Sequence, residues 1–239
     1  MSAVLGETFR LLAANLHLFT LLVLTVWLPG HVALNYLEFF GPAPDPSFQS
    51  LRVAFFLQAV FDPLVVAAIL AALARIKVGL PVSYGEALTE GLRAWPRLVL
   101  VRFVIYVSLA VPIALGLAIG QGGSAGILRG LGLVFGVLAT VILVRVAVVD
   151  AVTVLENGTV RTVWGRAAVI TRGQRGAIFG ALLLVFSILA AAVLTVSLVL
   201  RAAPDLNHFV VRVLVDCVLS VMQTAFPIAL FLFYWRARG

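Results

Sequence analysis

The sequence predicts an all-α polytopic membrane protein: six transmembrane helices with interfacial amphipathic helices, built as a three-fold internal repeat. Three observations carry that expectation: six apolar runs of membrane-spanning length, a strong asymmetry of basic residues between alternate loops, and short amphipathic stretches that recur along the chain. Composition agrees. Of 239 residues, 63% are hydrophobic and 11% charged, and the mean hydropathy is +1.15. A soluble domain carries about 25% charged residues. Long runs with so few charges belong in hydrocarbon, where a helix satisfies its own backbone groups.

The runs cover residues 16–40, 51–76, 98–119, 127–155, 176–200 and 209–235. Each is near the ~20 residues that cross ~30 Å of hydrocarbon. The first holds Pro29-Gly30, so it reads as a kinked helix or as one ending near Trp27. Glu7 and Arg10 stand where a signal peptide would be basic, so the first span is expected to be retained. Gly41-Pro42-Ala43-Pro44-Asp45-Pro46 breaks the chain between runs one and two, and the Gly-rich residues 120–126 turn it between runs three and four.

Orientation follows from Lys and Arg in the short loops. Arg10, Arg75, Lys77, Arg93, Arg97, Arg161, Arg166, Arg172, Arg175, Arg236 and Arg238 fall on one side, eleven in all, against Arg52, Arg129, Arg201 and Arg212 on the other. Both termini are therefore expected in the cytoplasm, with the chain in the cytoplasmic (inner) membrane. The net charge of +7 sits at span ends, which argues against a nucleic-acid partner.

The two basic loops read as surface helices. Over 83–97, Tyr84, Leu88, Leu92 and Trp95 recur at helical spacing, and Ser83 with Glu86 fits a capping box. Over 159–175, Val160, Val163, Trp164, Ala167 and Ile170 form one face, with Arg161, Arg166 and Arg172 off it. Such helices lie in the headgroup plane, so Trp95, Arg93, Arg97, Trp164, Arg161, Arg166 and Arg172 are candidate lipid-headgroup residues. The N-terminal stretch with Leu5, Phe9 and Leu12 is a third candidate.

These stretches suggest a repeat. Leu88-Thr89-Glu90-Gly91 is matched by Ile170-Thr171-Arg172-Gly173, 82 positions on. Gln58-Ala59-Val60-Phe61-Asp62-Pro63 is matched by Gln223-Thr224-Ala225-Phe226-Pro227, 165 positions on. Gly6-Glu7 echoes Gly85-Glu86. The expected units are residues 1–80, 81–157 and 158–239 of a single membrane domain, each an amphipathic helix plus two spans. The segments Val154-Leu155-Glu156-Asn157-Gly158, Trp164-Gly165-Arg166-Ala167-Ala168 and Ile170-Thr171-Arg172-Gly173 resemble bacterial multi-pass proteins of the glycerophosphodiester-phosphodiesterase membrane-domain type and their uncharacterised relatives. That resemblance implies a membrane fold and no activity, since the chain has no room for a phosphodiesterase barrel.

Ionisable groups inside spans cost about 2.5–3.5 kcal/mol each on insertion scales and are default functional candidates. Here they are Asp62, Arg102, Arg145, Asp150, Arg212 and Asp216. Asp62, beside Pro63, reads either as an ion or proton site or as a charge paired with Arg102 or Arg145. Arg145 and Asp150 are five apart, a poor intrahelical spacing, whereas Arg212 and Asp216 are four apart and are expected to face each other. His17, His31 and His208 lie near span ends and Cys217 within a run. None has metal-ligand spacing, so no metal or cofactor is expected. An aromatic belt accounts for Trp27, Tyr36, Tyr234 and Trp235. Gly122-Gly123-Ser124-Ala125-Gly126 satisfies G-x-S-x-G without the strand and helix that a nucleophile elbow needs. The sequon Asn157-Gly158-Thr159 falls on the cytoplasmic side. Gly116 with Gly120 and Gly132 with Gly136 permit close helix contact. With no catalytic constellation, the leading expectation is a non-enzymatic structural or accessory subunit that binds membrane lipids, a membrane protein complex or a second copy of itself. The alternative is a small transporter or channel using Asp62, Arg102, Arg145 and Asp150, which convergence of these groups on one space would favour. A membrane-embedded lipid-processing enzyme is the third reading, with Glu86, Glu90, Glu156, Arg93 and Arg161 at headgroup level.

Overall fold

The computed structural model describes residues 2–41, 46–120, 134 and 140–238. Among them the regular structure is all helical. The elements are α1 (Ser2–Ala14), α2 (Leu16–Phe40), α3 (Pro46–Lys77), α4 (Tyr84–Gly120), α5 (Val149–Glu156), α6 (Val160–Ile170), α7 (Arg175–Ala202), α8 (Phe209–Gln223) and α9 (Ala225–Arg238), with a 3-10 turn at Pro204–Leu206. Four stretches are long and apolar enough to cross a membrane: Leu16–Phe40, Val53–Lys77, Arg175–Ala202 and Phe209–Arg238. The third predicted span lies within α4. The fourth is described at residue 134 and from residue 140 on; the loop over 42–45, the G-x-S-x-G of the glycine turn and the Gly132–Gly136 pair lie outside the described residues.

Exposure is distributed as lipid requires. Phe55, Phe56, Phe103, Phe186 and Leu194 are all more than 60% exposed, while the interior of α3, from Leu64 to Leu73, is buried without interruption. With hydrocarbon on both sides, apolarity does not sort core from surface, and close packing falls to small residues.

The α3–α4 hairpin is the tightest unit. α3 ends in a Schellman motif: Leu80 N donates to Arg75 O at 3.0 Å and Gly79 N to Ile76 O at 3.1 Å, with Gly79 at φ +74°. This is the left-handed position at which glycine costs least. The capping box then starts α4: Ser83 N donates to Glu86 Oε2 at 3.1 Å and Glu86 N to Ser83 Oγ at 3.3 Å. The Ser83 backbone N–H, followed by the Ser83 hydroxyl, holds the Glu86 carboxyl below the ordinary carboxylate range. Arg75 closes the turn on Glu86 and Glu90 at 3.2 and 3.0 Å.

Here the expected interfacial helix is corrected. Residues 83–97 do not form a separate element. α4 runs unbroken through Pro96 into the third predicted span and lies antiparallel along α3. The face that meets α3 is Ala87, Gly91, Ala94 and Leu98, while Leu92 is 47% exposed. Small residues win that face because they let the backbones approach. A Cβ on Gly91 would stand 2.8 Å from the Ala68 backbone. Trp95 likewise turns inward, its indole donating to Val60 O at 2.6 Å, one turn from Pro63 within α3.

The other junctions differ in kind. α1 meets α2 at the single residue Asn15, and α6 meets α7 through a turn over residues 171–174 with Gly173 at φ +84°. Gly91 and Gly173, matched in the sequence, thus have different tasks, one close packing and the other a left-handed turn. α2 is continuous through Pro29, so the first span is one helix. α6 buries Val163, Ala167 and Ile170 as expected, with Arg161, Arg166 and Arg172 exposed. Trp164 is half-buried against the core.

α1 packs on α9 through Val4, Leu5 and Thr8, with Phe9 outward at 40% exposure. Glu7 clamps it, bonded to Lys77 and to Arg236 at 2.8 Å. The Lys77 bond in first place, then Arg236, holds its carboxyl below the ordinary value of 4.5 despite partial burial. The clamp therefore contributes full stability above about pH 4.5 and loses it as the pH falls through the lowered value. Hydrogen exchange of residues 2–14 is expected to accelerate in that acid range and to be fast at neutral pH in Glu7→Gln. Unchanged protection in Glu7→Gln would remove the clamp.

Candidate ion-binding cavity

The fourth predicted span does not continue to Leu155 as one helix. The helix ending at Arg145 gives way to a turn over residues 146–148, and α5 restarts at Val149. Buried Thr171 supports the break, its Oγ1 donating to the Arg145 carbonyl at 3.1 Å. The restart places Asp150 in the first turn of a helix, where the dipole favours a carboxylate.

From there Asp150 meets Arg102. Arg102 Nη2 lies 2.7 Å from Asp150 Oδ2 and Nε 3.3 Å from Oδ1, a bidentate fork. Its remaining Nη1 bonds Asp62. α3, α4 and α5 thus contribute one group each to a triad of two carboxylates and one guanidinium. The Arg102 side chain is 13% exposed, Asp150 21% and Asp62 32%.

The triad faces a cavity of about 790 Å³. One wall is polar, with Gln58 beside Asp62 on α3 and Ser220, Gln223 and Thr224 around the α8–α9 junction. The opposite wall is α7, with Phe186, Leu189, Val193 and Leu194, and with Ser197 and Arg201 towards its end. Almost none of the α7 span is buried within the chain, so this wall is a thinly packed one. The sixth predicted span is interrupted beside the cavity: α8 ends at Gln223 and α9 begins at Ala225, with Pro227 in its first turn.

Three of the four residues expected around a polar cavity therefore converge on it. Arg145 does not: its side chain is exposed and away from the cavity. The expected Arg212–Asp216 pair is also absent. Arg212 Nη2 lies 3.4 Å from Glu38 Oε1, and Asp216 accepts from Asn35 Nδ2 at 2.8 Å. His31 and Ser220 bond at 2.8 Å one turn further along. α2 supplies better partners than the helix itself, making a polar α2–α8 seam. No group of three metal-ligating side chains occurs among the described residues. Sequence reasoning missed Ser197, Arg201 and Ser220 as cavity residues. It had a signal for Gln58 and Gln223, the paired glutamines of the repeat, which both line the cavity. No family model, curated protein or solved structure matches this chain.

Proposed function

We propose that this protein is a small membrane transporter whose cavity takes a cation or proton at the Asp62–Arg102–Asp150 triad. The observation that carries the reading is the convergence of three intramembrane charges from three helices on one cavity. Within the triad two carboxylates share one guanidinium, and the cavity's other cation, Arg201, stands towards the end of α7; a carboxylate at membrane depth without a guanidinium of its own calls for a cation or a proton. The broken backbone before α5 fits the same role, since its restart delivers Asp150 to the cavity, and irregular backbone at membrane depth is tolerated where protein buries it, as at Val146 and Val148. The frame for it is six spans in the cytoplasmic membrane, both termini inside, in three related units and akin to the glycerophosphodiester-phosphodiesterase membrane-domain type. The basic loops and the recurring motifs support that frame.

Two experiments test the reading. In a Cys217→Ala background, Gln58→Cys and Ser197→Cys are expected to react with a membrane-impermeant charged thiol reagent, and lipid-facing Phe55→Cys is not. In vesicles loaded with a pH-reporting dye, added Na⁺, K⁺ or tetramethylammonium is expected to drive a proton flux that Asp62→Asn reduces at least about tenfold. Unreactive cavity cysteines, or identical traces for the parent and Asp62→Asn, would overturn it. A stoichiometric protein partner retained through gentle-detergent purification would instead favour the accessory-subunit reading.

A further inference from the structure

A second concavity, of about 430 Å³, lies at the far end of the bundle between the ends of α3, α5 and α9 and the first turns of α4. Four guanidiniums line it, those of Arg75, Arg93, Arg97 and Arg238, against the single carboxylate of Glu90. Arg75 and Glu90 bond each other at 3.0 Å, so their charges are spent. Arg93 and Arg97 have no acceptor among the described residues, and they stand one turn apart on one face of α4. Arg238 enters from the last turn of α9, and Asn157, in a left-handed turn at φ 54°, brings an amide to the rim. The floor is apolar, from Ala71, Ala74 and Leu155, with the Trp235 ring at one side.

The unpaired guanidiniums of Arg93 and Arg97, with Arg238 beside them, over an apolar floor match a phosphate that arrives attached to hydrocarbon. The α4 stripe decides the source. The face carrying Arg93 and Arg97 continues through Leu100, 55% exposed, to Val107, 45% exposed, a path of about 15 Å from Arg97 at 1.5 Å per residue. A free phosphate has no use for that path, whereas an acyl chain lies along it.

We propose that this pocket binds the phosphate head group of an anionic phospholipid, with one acyl chain along Leu100 and Val107. The site is separate from the triad cavity and stands whether or not the chain transports. The test is native mass spectrometry of the whole protein in detergent with added dioleoyl-phosphatidylglycerol, dioleoyl-phosphatidylcholine or inorganic phosphate. Phosphatidylglycerol is expected to remain bound at one per chain and at least about tenfold more tightly than phosphatidylcholine. Arg93→Gln with Arg97→Gln is expected to lose that preference. Arg161→Gln with Arg172→Gln, which removes the same charge from an exposed face, is expected to keep it. Equal retention of the two lipids overturns the site. So does an equal loss in both double variants, which would mean diffuse surface charge, and so does displacement of the lipid by millimolar inorganic phosphate, which would mean a free-anion site.

Discussion

Arg102→Met is expected to destabilise the protein by roughly 3–5 kcal/mol, the range for removing one partner from a buried ion cluster. The substitution keeps the volume of the stem and deletes the charge. It leaves Asp62 and Asp150, on two different helices, facing one cavity without the guanidinium that bonds them both. Arg102→Lys should fall between parent and Met. One ammonium cannot reproduce a fork on Asp150 with a third bond to Asp62, because a guanidinium presents five fixed donors where an ammonium is a point charge. Neutralising the whole cluster, with Met at 102 and Asn at 62 and 150, should recover most of the loss, as replacing an entire buried ion cluster is often neutral. Denaturant titration of the purified protein in detergent micelles measures all three. If Arg102→Met unfolds within about 0.5 kcal/mol of the parent, a spread typical of neutral surface changes, the triad contributes nothing to stability.

The second large effect is expected at Gly91. In an unconstrained helix, Gly→Ala stabilises by about 1 kcal/mol. Here the added Cβ would sit 2.8 Å from Ala68 Cα, Cβ and N. Two of those atoms are backbone and cannot rotate away, so α3 and α4 must part. Overpacking of this kind costs about 1–3 kcal/mol and sometimes more. The sign should therefore invert: Gly91→Ala destabilises, and Gly91→Leu does so further. The damage should also travel, because the Trp95–Val60 bond and the Arg102–Asp62 contact bridge the same two helices. Ala68→Gly can rescue only in part, since it removes Cβ and leaves Cα and N. A Gly91→Ala protein more stable than the parent would mean that the helices are not held at this distance.

Local signals were legible in the sequence wherever the governing interaction is local. Ser83 and Glu86 are three residues apart and form the capping box that their spacing predicts. The apolar face of α6 is the one its periodicity marks. The Asp62–Arg102 contact was foreseeable as an option, because a lone membrane charge seeks a partner. What failed were inferences that needed a neighbour. Leu88 and Leu92 look like the packing face of α4, yet Ala87, Gly91 and Ala94 take it, because hydropathy does not separate lipid from protein interior. Arg212 and Asp216 have the right intrahelical spacing, but Glu38 and Asn35 on α2 outcompete it. The break at residues 146–148 lies in an uninterrupted run of valines and alanines. Its stabilising Thr171 comes 26 positions after the carbonyl it serves, so no window on the sequence contains both. Asp150 reaches the cavity through that break, and for this reason the triad could not be assembled from spacing alone.

The order in which the triad's members leave the ribosome bears on how the chain enters the bilayer. Asp62 and Arg102 are the opposed charges of a single hairpin with a short, capped turn, so α3 and α4 can be inserted as one package in which these two charges cancel. Neither charge then crosses the insertion machinery's lateral gate alone, where each would cost about 2.5–3.5 kcal/mol. Asp150 follows 48 positions after Arg102, once a guanidinium is already waiting for it. A circular permutation that separates α3 from α4 should consequently impair membrane integration itself, before any question of folded stability arises.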